Sequence, residues 1–261
     1  MQKMARIFIT GSSDGIGQAS AKLLADQGHK VFLHARNDQR AQDARSAVPG
    51  AEGVIIGDLG SIDGTKQLAE AANAQGPFDA IIHNAGLGLH VGSSKTSDGL
   101  APVFAVNTLA PYILTCLMPK PKRLLYLSSA LHASGTDSLD DVNWETRRWD
   151  SMAAYNDTKL QDIMLANAVA RHWPDVQSCS LDPGWINTKM GGASASGRVS
   201  TPAKAIADFA SGHGGSPAGS RTGVYFTPQG AQAAKKSAED RGKQEQLVKI
   251  CEKYSGVSLP K

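Results

Sequence analysis

Short apolar runs and helical stripes alternate along this chain. The runs Arg6-Ile7-Phe8-Ile9-Thr10, Lys30 to Ala35, Val54 to Gly57, Phe78 to His83, Arg123 to Leu127 and Val176 to Leu181 read as strands. The largely apolar runs among these suit strands buried on both faces of a parallel sheet. Between them apolar positions recur at helical spacing. One stripe runs through Ala19, Leu23 and Leu24 and stops near Gly28. Another begins after Asp98, carries Val103, Phe104, Val106 and Asn107, and runs to Met118. A third carries Leu160, Ile163, Met164 and Val169 and stops before Pro174. Pro111 predicts a kink in the second, and Pro119 and Pro121 end it. Gly223-Val224-Tyr225-Phe226 reads as a last short strand, and a terminal helix is expected over roughly 231–254. The alternation predicts one α/β domain over residues 1–261, a doubly wound, mostly parallel seven-stranded sheet flanked by helices.

Three stretches break the pattern. Residues 131–150 are irregular and polar, with Trp144 and Trp149 embedded, and read as an insert at the substrate side. Their Asp137, Asp140 and Asp141 lack the spacing of a Ca²⁺ loop and read as a solvated loop, so no metal site is expected. The Gly-, Ser- and Ala-rich segments Gly191 to Ser200 and Ser211 to Arg221 are expected to be mobile, with 188–203 acting as a lid.

Composition narrows the function classes. A 261-residue chain that is 41% hydrophobic can form one good core. Lys and Arg number 27 against 24 Asp and Glu, with no basic run, which argues against a nucleic-acid partner. Cys116, Cys179 and Cys251 are sparse and far apart, as reduced thiols of a cytoplasmic protein are. Neither a signal-peptide h-region nor a membrane-spanning apolar run is present in the sequence.

The candidate chemistry centres on Tyr155-Asn156-Asp157-Thr158-Lys159. On a helix, Tyr155 and Lys159 lie on one face, a turn apart. An ammonium beside a phenol favours the phenolate, so the phenol can exchange a proton with a carbonyl or an alcohol. Thr10-Gly11-Ser12-Ser13-Asp14-Gly15-Ile16-Gly17 joins the first strand to a helix, the context in which glycines admit a pyrophosphate and a helix N-terminus offers it free N–H groups. The second strand ends in Ala35 followed by Arg36, where an acid would hold ribose hydroxyls. An Arg there suits a 2′-phosphate, which predicts NADP(H) over NAD(H). Asp58-Leu59 ends the third strand, and Asp58 is placed either to accept from adenine or to cap the helix near Ser61. Small residues in Asn84-Ala85-Gly86 let backbone lie close to a cofactor, and Ser128-Ser129 ends the fifth strand at the ligand-binding edge.

These motifs, in this order, resemble the short-chain dehydrogenase/reductases along nearly the whole chain. The likeness rests on Thr10-Gly11-x-x-x-Gly15-x-Gly17, Asp58, Asn84-Ala85-Gly86, Asn107, Ser129, Tyr155-x-x-x-Lys159 and Pro183-Gly184 with Thr188. Ser128 to His132, the insert with Asp141-Val142-Asn143-Trp144, and the tail with Thr222 to Phe226 resemble the retinol dehydrogenase and WW-oxidoreductase-like branch. The resemblance implies a Rossmann-type fold. It implies Tyr155 as acid and base, Lys159 holding the nicotinamide ribose, Ser129 bonding the carbonyl oxygen, and Asn107 holding a water that leads to Lys159. Gly11, Gly15, Gly17 and Ile16 would meet the pyrophosphate, Arg36 the 2′-phosphate, Asp58 the adenine, Asn84 the adenosine ribose and Thr188 the carboxamide. Ser13, Leu59, Ala85, Gly86, Pro183, Gly184 and Ile186 complete the implied cofactor contacts.

The expected activity is reduction of an apolar or aromatic ketone or aldehyde with NADPH, reversible as alcohol oxidation. The cleft is expected to be lined by the insert, by Leu87 to Val91 and by the lid, offering Trp144, Trp149, Trp185, Leu89 and Met190. The alternatives are an NADP(H)-binding sensor or partner module without turnover, and reduction of a C=C or C=N bond. Ser129 and Tyr155 lie 26 positions apart (155 − 129), further than in short members of the family, which leaves Ser128 a rival for the catalytic serine. The compact segment from Asn107 to Ser129 leaves monomer and homodimer both open.

Overall fold

The computed structural model describes residues 4–212 and 215–261. Met1 to Lys3, and residues 213 and 214 of the segment expected to be mobile, lie outside the described residues. The expected strands form around β1 (Arg6–Ile9), β2 (Lys30–Ala35), β3 (Gly53–Ile56), β4 (Ala80–His83), β5 (Arg123–Leu127), β6 (Gln177–Leu181) and β7 (Tyr225–Thr227). They are parallel, in the order β3-β2-β1-β4-β5-β6-β7. The sheet has an eighth member, not seven in all: β8 (Gly230–Ala231) turns back and pairs antiparallel with β7. That turn displaces the terminal helix, which begins at Asp240 and not near 231. Asp240 accepts from the Lys243 amide at 3.1 Å, capping α8 (Arg241–Ser255).

Alternation along the strands sorts side chains to two layers. Ile7 and Ile9 of β1 pack with Leu24 of α1 (Gly15–Asp26), Ala44 of α2 (Asp38–Ala47) and Phe209 of α7 (Ser200–Ser211). Phe8 points to the other face. There it stacks on Phe78, ring centroids 5.5 Å apart, within the core shared with α3 (Ile62–Asn73), α6 (Ser151–His172) and α8. Helices on both faces bury the parallel sheet, as its largely apolar strands require. Strand order reverses between β1 and β4, and ligands bind such sheets at that point, beyond the strand C-termini.

The helix expected from Val103 to Met118 forms in three pieces. α4 (Pro102–Phe104) leads into a π-turn (Ala105–Leu109), and α5 (Ala110–Leu117) follows. Pro111 has no N–H to give the carbonyl of Asn107, and its ring crowds that carbonyl. The predicted disturbance takes the form of a widened turn around Asn107, and π-turns of this kind recur at functional sites.

The insert is no solvated loop. Leu139, Val142 and Trp144 are buried in the core. Asn143 accepts from the Ala101 amide at 2.6 Å and donates to Gly99 O at 3.1 Å. Asp141 accepts from the amides of Glu145, Thr146 and Arg147. These bonds outweigh burial and hold its carboxyl well below the usual range. Arg147 lies over Trp144, 3.8 Å from the ring centroid, and pairs with Asp157 of α6 at 3.0 Å.

Trp173 is 2% exposed, and its Nε1 donates to Pro260 O at 2.7 Å, binding the C-terminal tail to the end of α6. Trp173→Ala is expected to cost about 3–5 kcal/mol, as large-to-small core substitutions do. Urea unfolding of the two proteins checks this.

Candidate active site

The cleft starts where β1 and β4 part. The hydroxyl of Thr10 accepts from the amides of Asn84 and Ala85, both at 3.0 Å. The Asn84 side-chain amide donates to Thr10 O at 2.9 Å and Gly11 O at 3.0 Å. The turn is drawn so close that a Cβ on Gly11 would lie 2.7 Å from Ala85 Cα, and one on Gly17 2.4 Å from Asn84 Nδ2. These glycines serve packing as much as ligand approach. Asn84 borders the cleft, with its amide donors committed to the turn.

His34, not singled out in the sequence, supports the same turn from β2. Its Nδ1 accepts from the Gly11 amide at 2.9 Å, so the ring proton sits on Nε2, which donates to Gly57 O at 2.9 Å. Burial lowers the His34 pKa, with the Gly57 bond and Asp58 opposing.

A cleft of about 540 Å³ opens above these strand ends. Gly11, Ser13, Gly15 and Ile16 form one wall, where Asp14 at the N-cap of α1 makes no side-chain cap bond and leaves first-turn N–H groups open. Ala35, Arg36, Asp58 and Leu59 border the end beside β2 and β3. Asp58 accepts from the Gly60 amide at 2.9 Å, and the cap of α3 is Ser61, so Asp58 does not cap that helix. Arg40 was missed. It projects from the first turn of α2 into the cleft, donating to Ser13 Oγ at 2.9 Å and pairing with Asp14 at 2.5 Å. Its signal was a second Arg four positions after Arg36, at the start of the next helix. Lys189 reaches Asp14 from the opposite wall at 3.5 Å.

Tyr155 and Lys159 line the opposite end, with Gly86, Ser128, Pro183 and Thr188. Lys159 is buried; its Nζ donates to Leu127 O at 2.7 Å and lies 5.6 Å from the Tyr155 ring centroid. The Tyr155 hydroxyl makes no hydrogen bond among the described residues. Ser128 Oγ donates to Lys159 O at 2.8 Å, which uses its hydrogen. Ser129 Oγ accepts from the Leu131 amide at 3.2 Å and keeps its hydrogen. The insert leaves the chain after this turn and is brought back by Thr136, whose amide donates to Asp157 on α6 at 2.7 Å.

Several expectations move. Asn107 does not border the cleft with its side chain: Oδ1 accepts from the Leu87 amide at 2.7 Å, and Nδ2 donates to Leu87 O and Thr158 Oγ1. It clasps the loop after β4 to α6. Gly17, Ser129, Gly184 and Ile186 are not among the residues that line the cleft, whereas Ser128 is. Trp144 and Trp149 pack edge to face in the core, and neither they nor Leu89 line the cleft; Met190, Leu87 and Val106 do. Trp185 is 61% exposed and donates to Gly191 O. The segment expected to be a mobile lid is pinned, with Asn187 N to Gly197 O and Gly197 N to Trp185 O both at 3.0 Å, and its last residues are the first turn of α7.

Residues 5–121 match the family model for short chain dehydrogenase. An uncharacterized oxidoreductase of Emericella nidulans, AN7799, is 53% identical, covering 98% of this chain and 99% of its own. The short-chain dehydrogenase chyC of Penicillium rubens is 42% identical, over 98% of this chain and 100% of its own. The chain belongs to the short-chain dehydrogenase/reductase family. Among solved structures, the carbonyl reductase Sniffer of D. melanogaster superimposes with a TM-score of 0.65 at 21% identity, covering 89% of this chain and 100% of its own. No helix among the described residues is long and apolar enough to cross a membrane.

Two outcomes follow. Gly17→Ala drives a methyl into Asn84 and Gly11, and is expected to cost about 1–3 kcal/mol, the range for overpacking; the thermal midpoint reads it. His34 and His83 are buried neutral, burial pushing His83 down to about 3. Their folded pKa values are depressed, so the stability they contribute is complete above the unfolded value of 6.5 and is lost as pH falls toward the folded values. Unfolding free energies from urea titrations should therefore fall below about pH 6.5, by up to about 1.4 kcal/mol per pH unit for each histidine, and less steeply in His83→Gln.

Proposed function

We propose that this short-chain dehydrogenase is an NADP(H)-dependent carbonyl reductase, reversible as an alcohol dehydrogenase. The observation that carries the reading is a half-buried Tyr155 with an uncommitted hydroxyl beside a buried Lys159, in the same cleft as the glycine turn. The residues fit a dinucleotide: open N–H groups at the start of α1, small residues along Asn84-Ala85-Gly86, and no acid at the end of β2. Arg36, with Arg40 beside it, supports a 2′-phosphate at that end. When bound, the nicotinamide cofactor supplies or accepts the hydride.

The protein's own residues orient the substrate and move a proton. Ser129 gives its hydroxyl hydrogen to the substrate oxygen. Tyr155 delivers its proton to that oxygen in reduction and takes it back in oxidation. The Lys159 charge favours the phenolate left behind. Met190, Leu87 and Val106 near this end support an apolar or aromatic ketone or aldehyde as substrate.

NADPH consumption against a panel of aromatic, aliphatic and polycyclic carbonyls tests the reading. Tyr155→Phe is expected to lower kcat by about 100-fold or more, the scale of a lost general acid, with NADPH affinity little changed. Loss of both together would mark Tyr155 as structural. Arg36→Ala is expected to weaken NADPH about tenfold or more, the scale of one charged hydrogen bond, and NADH much less. Equal losses for the two cofactors would remove the 2′-phosphate assignment.

A further inference from the structure

Asp162 plays no part in the reading above, yet it touches the residue at its centre. It lies one turn beyond Lys159 on α6, its side chain 3% exposed, with Oδ2 2.8 Å from Lys159 Nζ. Leu127 O takes a second N–H of the same ammonium at 2.7 Å. Two of the three donors of Nζ are thereby fixed, and one remains for the cleft. Among the described residues Asp162 is the one anion within salt-bridge distance of Nζ.

A buried ammonium sheds its proton unless an anion compensates it. Burial is the largest influence on Lys159 and pushes its pKa down. The Asp162 charge, helped by Tyr155 and by the hydrogen bond to Asp162, more than reverses this, leaving the group above its ordinary value. Burial in turn raises the Asp162 carboxyl, with Lys159 opposing. Tyr126, which faces Asp162, and the buried titratable groups around Tyr126 carry no charge near neutral pH. Tyr126 on β5 is pushed up by burial, as are Cys251 of α8 and, to about 12, Cys116 of α5. His83 of β4, whose ring lies 4.8 Å from that of Tyr126, is held neutral.

We propose that Asp162 is a positioning residue that keeps the buried Lys159 ammonium charged and seated beside Tyr155. The proposal rests on the reading of Tyr155 and Lys159 as the proton-transfer pair. Without Asp162 the lysine becomes a neutral amine as pH rises, and its field at the phenol disappears.

Asp162→Asn removes the charge and keeps an oxygen acceptor of nearly the same shape. NADPH-dependent carbonyl reduction by this variant is expected to approach wild type near about pH 6. It should fall by about tenfold or more relative to wild type by about pH 9, where an uncompensated buried lysine is neutral. A profile parallel to wild type, at whatever level, overturns the proposal, because a merely structural aspartate lowers activity without reshaping its pH dependence. Nitrogen-15 NMR of the lysine-labelled, cofactor-free protein reads ammonium against amine without turnover. Lys159 should turn to amine at lower pH in the variant than in wild type, and coincident titrations overturn the proposal. An earlier titration in a protein that reduces no carbonyl would uphold the Asp162 assignment and sink the reductase reading. If Asp162→Asn does not fold, wild type alone decides. A Lys159 resonance that remains ammonium through the ordinary lysine range upholds the proposal, and one that turns to amine below that range overturns it.

Discussion

One hydroxyl and one carboxamide hold the site open. Thr10 and Asn84 tie the end of β1 to the end of β4 at the point where the sheet changes direction. The strands diverge above that tie, and the cleft is the space they leave. The glycine turn lies flat against Ala85 because of it, and His34 braces the same turn from β2. Everything that follows in the cleft takes its height from this junction. The start of α1, the basic end beside Arg36 and the Tyr155 end all sit on one rim of the sheet.

Much of this was legible in the sequence because the signals were local. Most of the strands are largely apolar runs, and the motifs Gly11 to Gly17 and Tyr155 to Lys159 declare themselves by spacing on elements of known period. Side-chain commitments were not legible. Asn84 and Asn107 are both drawn into backbone clasps, and no spacing rule distinguishes an amide that holds a loop from one that holds a ligand. Ser128 and Ser129 separate only when the carbonyl of Lys159 is seen to take the hydrogen of the first. Arg40 and Asp162 each stand within four positions of a residue that was recognised, and their part depends on which way their helix faces.

The insert shows how polarity along a chain can mislead. Its Asp and Arg residues suggested solvent, yet Asp141 folds the backbone of residues 145–147 around itself, and Arg147 covers Trp144 while reaching Asp157. The charges are internal ties, and the tryptophans they hold fill the core and leave the substrate wall to Met190, Leu87 and Val106. The long separation between Ser129 and Tyr155 is therefore absorbed by a packed subassembly without loosening the start of α6.

The two-residue strand β8 has a consequence for the sheet's margins. An exposed edge is a row of unpaired N–H and C=O groups on which another chain can add a strand. Here one margin is β8, two residues long, and the other is β3, four residues long. Neither offers enough backbone to register an incoming strand, so the brief return of the chain after β7 also guards the folded protein against edge-to-edge aggregation.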